Sequence, residues 1–256
     1  MNAAFEIGGI GLATEQKALD IIANNIANLN TPSFKRSDVQ FSELVSQVSD
    51  PDNPRADLNV EPALSGVSAR AALALNQQGD LEHTGRSLDL AVNGTGFIEL
   101  LGPSGQTLLW RGGTLALNDQ GQLTAASGLP LKASISLPAN ATNLTIAADG
   151  TVTALVPGNE TPTSFGQISL VRVDDPATIE RLDGGLYRES AEARLDAATP
   201  GEDGLGTLVQ GSVEHSNVAI TDEMVRLMIV QRAYAASAQI VQAADQLMGI
   251  ANNLRR

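Results

Sequence analysis

The sequence contains no cysteine and few aromatic residues. Its 256 residues include one Trp, two Tyr and five Phe. Without cysteine the chain can form neither a disulfide nor a thiolate nucleophile. A packed core must therefore be built from Leu, Ile, Val and Ala, and the chain is long enough to bury one.

Basic residues are also scarce. The 16 Lys and Arg residues are outnumbered by 29 Asp and Glu residues, which gives a formal net charge of −13. This balance argues against a nucleic-acid binder, which needs a basic surface to meet phosphates, and weakly against binding to an anionic membrane. No apolar run approaches the length that spans a bilayer. Because Glu6 precedes a short, glycine-broken apolar stretch, we expect no secretory signal at the start.

A seven-residue apolar spacing marks the first segment, residues 2–29. Phe5, Leu12, Leu19 and Ile26 lie seven residues apart. Ile22 and Leu29 occupy the companion position, three residues after Leu19 and Ile26. This spacing predicts a helix with a coiled-coil seam, defective in its first half because Gly8 and Glu15 occupy companion positions. The alternative is a single amphipathic helix packed on its own domain. Thr31 and Pro32 should end the helix, because the residue before a proline avoids helical angles.

The last segment repeats this spacing in a longer helix. Its seven-spaced and companion positions are Ile220, Met224, Leu227, Tyr234, Ala238, Val241 and Met248. A second stripe widens the apolar face in the last turns, at Ile240, Ala244, Leu247, Ala251 and Leu254. A helix with apolar residues on more than one side needs several neighbours. We therefore predict that the two ends of the chain come together.

Between the two ends the pattern changes to short alternating strands. In LTIAADGTVTAL, Asp149 and Gly150 join two alternating runs, which is the sequence signature of a β-hairpin. GFIELLGPSGQTLLWRGG and TLALNDQGQLTAASG predict two more strand–turn–strand units, and GQISLVRV predicts a further strand. Many short strands with glycine-rich turns favour a sandwich or barrel-like domain. Residues 37–48 fit a short helix or an extended piece, and residues 49–66 predict a loop or arm.

Together these patterns predict an α+β fold. Long N- and C-terminal helices are expected to form a coiled-coil-like core domain, with an antiparallel β domain inserted between them. The predicted core domain comprises residues 1–45 and 212–256, an extended linker or arm occupies 46–80, and the β domain occupies 81–211.

The sequence gives little support for catalysis. The two histidines, His83 and His215, each adjoin a glutamate, but neither has a partner at metal-ligand spacing. There is no Gly-x-Ser-x-Gly motif, and NGTGF from Asn93 leads into a strand, so it predicts a turn and not a dinucleotide loop. We predict no enzyme, no catalytic or metal-binding residue and no cofactor. A self-assembling structural protein explains the matching ends, which a secreted β-rich binding module or a cell-wall hydrolase would not require.

Motifs at both ends and in the middle of the chain resemble one protein family. ALDIIANNIANLNTPSFKRSDVQF resembles the N-terminal signature of bacterial flagellar rod and hook axial proteins. LDLAVNGTGFIEL, LNDQGQLTAASGLPL and GQISLVRV resemble the body of the rod proteins, and GSVEHSNVAITDEMVRLMIVQRAYAASAQIVQAADQLM resembles their C-terminal signature. SNVAITDEMVRLMIVQRAYAAS is most similar to the distal rod subgroup, while LTIAADGTVTALVPGN also resembles the proximal one. Ser33 departs from the pattern, which has glycine at this turn.

The resemblance implies a structural subunit of the flagellar rod, of the distal type. Such a subunit self-assembles into the hollow drive shaft that transmits torque and passes exported subunits. The implied partners are further copies in a helical polymer, neighbouring rod and hook proteins, surrounding ring proteins and the flagellar export apparatus, with no nucleic acid. The implied location is the basal body, in the periplasm-spanning rod, reached by type III export without a cleaved signal peptide.

In such a polymer the terminal helices line the interior, and their heptad residues contact neighbouring copies. This arrangement would explain why Asn is frequent in IIANNIANLN, because a buried Asn fixes the register between helices. The alternative is that these Asn residues face water or fray the helix end. The predicted subunit interface consists of Phe5, Leu12, Leu19, Ile22, Asn24, Asn25, Ile26, Asn28, Leu29, Ile220, Met224, Leu227, Tyr234, Val241 and Met248.

Overall fold

Two compact units make up the protein. The computed structural model describes residues 2–46, 63–75, 77–158, 161–173, 178–189 and 195–254. Unit 1 comprises Met1–Ala27, Ser37–Ala72 and Ala219–Arg256. Unit 2 comprises Asn28–Arg36 and Leu73–Val218. Each unit is therefore assembled from segments that are far apart in the sequence.

Unit 1 contains two long helices. The first, α1, spans Asn2–Ala27, and the second, α2, spans Ile220–Leu254. As predicted, α1 ends ahead of Thr31 and Pro32. In the described residues, neither helix combines the length and the apolar character needed to cross a lipid bilayer.

Two strands complete unit 1. β1 spans Ser37–Ser46, β2 spans Ala63–Leu73, and the two form a two-stranded sheet. The segment after α1 is therefore extended and not a second helix. The predicted arm at 49–66 lies outside the described residues as far as residue 62, and from Ala63 onward it belongs to β2.

α1 and α2 pack against each other through small residues and a hydrogen bond. A Cβ atom added to Gly8 would lie 2.6 Å from Cγ2 of Val241, whereas one added to Gly9 would meet nothing within 4 Å. Ser237 Oγ donates a hydrogen bond to Glu15 Oε1 at 3.0 Å. Gly8 and Glu15, which interrupt the predicted seam, are thus part of the contact between the helices, because a glycine allows their backbones to approach closely.

Unit 2 consists mainly of short antiparallel strands. In chain order, β3 to β17 span Leu81–His83, Asp89–Asn93, Phe97–Leu101, Thr107–Trp110, Gly112–Leu117, Leu123–Ala125, Thr142–Ile146, Thr151–Leu155, Thr163–Gln167, Leu170–Val173, Ile179–Arg181, Leu186–Glu189, Leu195–Ala198, Thr207–Gln210 and Ser212–Glu214. They form a six-stranded sheet in the order β13-β14-β6-β5-β12-β15 and a four-stranded sheet in the order β16-β4-β7-β8. A three-stranded sheet, β11-β10-β9, and the pair β17-β3 complete the unit.

The hairpins predicted from turn sequences are confirmed. β9 and β10 pair antiparallel, and Gly150 between them has φ +86°, a left-handed conformation that glycine adopts easily. β5 pairs with β6 and β7 with β8 across the two other predicted turns. GQISLVRV was expected to be one strand but is divided between β11 and β12. Between these strands the Ile168 N–H donates to the carbonyl oxygen of Gly150 at 2.8 Å.

The hydrophobic core lies in unit 2. Its main cluster includes the fully buried side chains of Leu90, Leu100, Val152 and Leu170. A smaller cluster contains Phe97, Leu109, Val171, Ile179 and Tyr187. Of the 31 buried apolar residues in the described chain, three belong to unit 1, namely Ala18, Ile22 and Ala69.

The predicted fold class is wrong. A β-rich structure with seventeen strands and two α-helices dominates the described chain, instead of a coiled-coil-like helical core with an inserted β domain. The physical reason is burial. Two helices of one chain cover one side of each other and leave their other apolar faces in water, whereas the packed strands bury most of their apolar side chains. Heptad spacing indicates a seam but does not show whether the seam forms the core.

We expect Gly8→Ala to loosen the pairing of α1 with α2, and Gly9→Ala to leave it intact. Both substitutions raise the intrinsic helix propensity of α1, because alanine is favoured over glycine in a helix by up to about 1 kcal/mol. The new methyl group at position 8 collides with Val241, whereas the methyl group at position 9 meets open space. Amide hydrogen exchange of dilute protein should therefore be faster around Val241 in Gly8→Ala than in Gly9→Ala, and equal exchange in both variants would contradict the close contact.

Candidate functional site

Exposed apolar side chains are concentrated on unit 1. Of the thirteen large apolar side chains that are exposed in the described chain, eleven belong to this unit. Extensive exposed apolar surface is rare on monomeric proteins and marks sites of association. The eleven are Ile7, Phe41, Met224, Val225, Met228, Ile229, Tyr234, Ile240, Leu247, Met248 and Ile250.

The second half of α2 carries almost no charge. Between residues 233 and 254 its single charged residue is Asp245. Ile240, Leu247 and Ile250 are 59%, 62% and 57% exposed. The outward side of a helix in water normally carries charged residues. We call the surface formed by Ile240, Leu247 and Ile250 the α2 ridge, and its composition suits contact with protein.

The predicted interface residues near the N-terminus differ in exposure. Ile22 and Asn25 are buried, and Asn24 is exposed. The side chain of Phe5 lies outside the described part of the structure. The half-buried positions are Leu12, Leu19, Ile26, Asn28 and Leu29. In α1 itself, the seven-spaced stripe is thus partly covered within the chain.

The predicted interface residues of α2 divide in the same way. Met224, Tyr234 and Met248 are exposed. The half-buried positions are Ile220, Leu227 and Val241. Val241 contacts α1 at Gly8, so part of the stripe is used within the chain. Contact of these residues with other copies stays a prediction.

Asn25 joins the helices to the first strand. Its Nδ2 donates to the Ser37 carbonyl oxygen at 2.9 Å, and its Oδ1 accepts from the Ser37 N–H at 3.0 Å. Nδ2 also donates to Glu223 Oε2 of α2 at 3.2 Å. Asn25 and Glu223 are both fully buried. The amide thus replaces the backbone partner that Ser37 would otherwise have in a sheet, and it fixes the start of β1 against both helices.

An ion pair reinforces this junction. Arg226 Nη1 of α2 lies 2.6 Å from Asp38 Oδ1 of β1. The hydrogen bond to Asp38 raises the pKa of Arg226 above its ordinary value. Seven-residue spacing places Arg226 beside the apolar stripe and gives no sign of this partner, which is 188 residues away in the sequence.

A buried ion cluster lies in unit 2 around Glu214. Glu214 Oε1 accepts from Lys35 Nζ at 2.6 Å and from the Gly79 N–H at 2.9 Å. Glu214 Oε2 accepts from Arg111 Nε at 3.1 Å. Lys35 and Glu214 are fully buried, and Arg111 is nearly so. One carboxylate therefore holds together segments that are distant in the sequence.

The cations of this cluster have further acceptors. Lys35 Nζ also donates to the Gln77 carbonyl oxygen at 2.8 Å, and the Arg111 guanidinium donates to the carbonyl oxygens of Gly94 and Gly96. Burial lowers the pKa of Lys35, and the charge of Arg111 lowers it further, although Glu214 opposes both effects. The two buried cations are therefore stabilised by backbone carbonyl oxygens as well as by the Glu214 carboxylate.

Ser33 closes the turn that leads into this cluster. Its φ is +58°, so the turn keeps the left-handed conformation that glycine favours. The Ser33 N–H donates to the Glu214 carbonyl oxygen at 2.7 Å, and its Oγ donates to the Gly112 carbonyl oxygen at 3.2 Å. These bonds hold a conformation that is otherwise uncommon for serine.

The two histidines take part in ordinary polar contacts. His215 Nε2 lies 2.6 Å from Glu82 Oε2, and His83 Nδ1 lies 3.4 Å from Ser212 Oγ. Within the described ranges, no group of three or more His, Asp and Glu side chains is arranged to hold a metal ion.

Three family models match the chain. The flagella basal body rod protein model matches residues 5–35, and the flagellar hook protein FlgE/F/G D1 domain matches residues 91–154. The C-terminal model of the flagellar basal body rod FlgEFG proteins matches residues 209–254. The matches therefore fall at both ends of the chain and in the strand-rich middle.

Curated relatives match almost the whole chain. The flagellar basal-body rod protein FlgG of Caulobacter vibrioides is 34% identical, and the alignment covers 98% of this chain and 99% of the relative. FlgG of Borreliella burgdorferi is 32% identical over 100% of both chains. The flagellar basal-body rod protein FlgF of Caulobacter vibrioides is 28% identical over 96% of this chain and 95% of the relative.

Removing the charge of Glu214 should destabilise unit 2. Glu214→Gln leaves Lys35 and Arg111 buried without their counter-charge, and we expect a loss of about 3 to 5 kcal/mol in the free energy of unfolding. Glu82→Gln is the control, because Glu82 forms an exposed pair with His215 and its loss should cost less than about 1 kcal/mol. Urea unfolding measures both, and similar midpoints for the two variants would contradict this role of Glu214.

Tyr187 should make the stability of the protein depend on pH in the alkaline range. Burial raises its pKa from 10.0 to about 12. Because the folded state holds the proton more tightly than the unfolded state, the stabilisation is complete below pH 10 and is lost as the pH rises to about 12. The difference amounts to about 2 to 3 kcal/mol. Tyr187→Phe should remove this decline in chemical unfolding experiments.

Absorbance titration checks the same group directly. The chain has two tyrosines, so Tyr234→Phe leaves Tyr187 as the sole phenol. We expect its ionisation near pH 12 in the folded protein. A midpoint close to pH 10 with the fold intact would contradict the burial argument.

Proposed function

The chain belongs to the flagellar basal-body rod protein family, and from this membership we propose that it is a structural subunit of the flagellar rod, of the distal type. The subtype rests on the two relatives from Caulobacter vibrioides. FlgG of this bacterium is 34% identical to the chain and FlgF is 28% identical, over nearly the same share of the chain. The proximal subgroup, which part of the sequence also resembles, is therefore the weaker assignment.

In this proposal, copies of the chain associate through unit 1 into a helical polymer, a hollow drive shaft that transmits torque and passes exported subunits. The observation that carries it is the concentration of exposed apolar residues on unit 1, eleven of the thirteen in the described chain. Burying such side chains between copies removes apolar surface from water, which favours association. The core of unit 2 is already complete, so this unit keeps its shape whether or not copies associate.

The proposed partners follow from the same family membership. Neighbouring rod and hook proteins would continue the polymer at its two ends, and ring proteins would surround the shaft where it spans the periplasm. The export apparatus would deliver the subunits. The role is mechanical and not catalytic, and the names of the matching relatives, which describe rod proteins, support it.

The predicted interface residues fit this proposal in two groups. Met224, Tyr234 and Met248 are exposed and available to neighbouring copies. The half-buried residues, among them Leu227, would serve both the pairing of α1 with α2 and the contact between copies. Asn25 has its partners within its own chain and would act by fixing the position of β1.

Sedimentation against protein concentration tests the proposal. We expect Leu247→Asp to abolish polymers, because a carboxylate buried between subunits costs several kcal/mol and every copy carries the same defect. The monomer should stay folded, since Leu247 is 62% exposed. Leu117→Asp is the matched control, because Leu117 is 49% exposed on unit 2.

The same two variants can be compared in a strain that lacks its own rod protein. Leu247→Asp should fail to restore motility, and Leu117→Asp should restore it. A chain that stays monomeric at all concentrations and does not restore motility would overturn the proposed function.

A further inference from the structure

Asn93 and Gly94 form the only Asn-Gly dipeptide in the sequence. An asparagine followed by glycine is especially prone to spontaneous deamidation, because glycine has no side chain to shield its backbone nitrogen from the neighbouring amide. Asn93 is the last residue of β4 and is exposed to the water that the reaction consumes. The local chemistry therefore favours loss of this side-chain amide.

One side chain forms hydrogen bonds with both groups that would react. Gln78 Oε1 accepts from the Gly94 N–H at 2.9 Å, and Gln78 Nε2 lies 3.4 Å from Asn93 Oδ1. Nε2 also donates to the Val92 carbonyl oxygen at 3.2 Å. The pairing of β4 with β7 ends at Ala91, so Gln78 takes the place of a strand partner for the next residues. Deamidation requires the Gly94 nitrogen to turn towards the Asn93 side chain, and these bonds oppose that rotation.

The same peptide is held from other directions. The Arg111 guanidinium donates to the Gly94 carbonyl oxygen, and Thr207 of β16 pairs with Asn93 in the sheet. A Cβ atom added to Gly94 would lie 2.8 Å from Cα of Gly206. Because the fold requires glycine at this position, the labile dipeptide cannot be removed by adding a side chain there. Its lifetime depends on the contacts around it.

We propose that Asn93–Gly94 is a site of spontaneous modification, by deamidation through a cyclic imide, and that Gln78 slows the reaction. The Gly94 nitrogen forms a bond with Asn93 Cγ and loses its proton, while the bond from Cγ to Nδ2 breaks and ammonia leaves with that proton. Water then opens the ring at either of its two carbonyl carbons. One opening gives aspartate, and the other gives isoaspartate, in which the backbone runs through the former side chain.

Isoaspartate at this position would disturb the buried ion cluster. The extra backbone carbon comes directly before Gly94, so it shifts the Gly94 carbonyl oxygen away from Arg111. Arg111 would keep the Gly96 carbonyl oxygen and Glu214 as acceptors but lose one of its partners. A buried cation that loses a hydrogen-bond acceptor is destabilised. Aspartate leaves the backbone unchanged and should spare the cluster.

Incubation of the full-length protein at mildly alkaline pH, followed by peptide mass spectrometry, measures the reaction. Deamidation raises the mass of the peptide, and chromatography separates its isoaspartate and aspartate forms. We expect Gln78→Ala to deamidate at Asn93 about fivefold faster than the unsubstituted chain, which is the factor that corresponds to one net hydrogen bond. An unchanged or slower rate in Gln78→Ala would overturn the proposal.

Two other exposed glutamines provide matched controls. Gln77 adjoins Gln78, and Gln77→Ala should deamidate like the unsubstituted chain. Gln167 lies in β11, in a different sheet, and its Nε2 donates to the Asp149 carbonyl oxygen at 2.8 Å. Gln167→Ala therefore shows whether loss of any such bond in unit 2 speeds the reaction. If either control deamidates as fast as Gln78→Ala, the specific role of Gln78 is wrong.

Unfolded chains show whether the protection belongs to the fold. In urea concentrated enough to unfold every variant, Asn93 should deamidate at one rate in all of them, and faster than in the folded unsubstituted chain. If the folded and unfolded unsubstituted chains deamidate equally fast, the contacts around Gly94 give no protection and the proposal is wrong.

Urea unfolding of aged protein tests the consequence for the ion cluster. Chains that carry isoaspartate at position 93 should unfold at a lower urea concentration than Asn93→Asp, which reproduces the aspartate product without lengthening the backbone. Equal midpoints would show that the Gly94 carbonyl oxygen does not matter to Arg111, and would overturn the connection between this site and the cluster.

Discussion

The charge of Glu214 is the constraint on which unit 2 depends. This buried carboxylate accepts from Lys35, Arg111 and the Gly79 backbone, and its own carbonyl oxygen accepts from Ser33. The short segment after α1, the β strands and the segment before α2 all meet at this residue. Removing charges from water is costly, and the arrangement offsets that cost because each ion has several partners at hydrogen-bond distance. Unit 2 consists of two segments of the chain, Asn28–Arg36 and Leu73–Val218, and this arrangement joins them.

The two units differ in how much of their apolar surface they bury. Unit 2 buries most of its large aliphatic side chains between short strands. Unit 1 buries few apolar residues and leaves most of the exposed apolar side chains of the described chain in water. Its internal order rests on the packing of α1 against α2 and on polar contacts such as Asn25 with Ser37 and Asp38 with Arg226. Polar contacts inside a subunit combined with apolar surface outside are what a self-assembling subunit requires, because the apolar surface stays available for other copies.

Asn25 shows how a residue that is unfavourable in a helix can be useful there. Asn lowers helix propensity because its amide competes for backbone hydrogen bonds. Here that tendency is used, since the amide bonds both backbone groups of Ser37 at the start of β1. Its neighbour Asn24 is exposed and Asn28 is half-buried, so the three asparagines of this motif do not share one environment.

The sequence by itself determined the local elements and the family. Turn dipeptides and alternation predicted the hairpin at Gly150, Pro32 predicted the end of α1, and the terminal motifs identified the rod proteins. These signals are short-range, because backbone conformation and hydrophobic periodicity act over a few residues. Only the tertiary structure decided which surface forms the core, that Gly8 is a contact and not a defect, and that Glu214 meets Lys35 and Arg111. Those features join residues 103 to 179 positions apart in the case of the ion cluster. Neither heptad spacing nor composition specifies which distant charges will share one buried site, since that depends on how the strands pack.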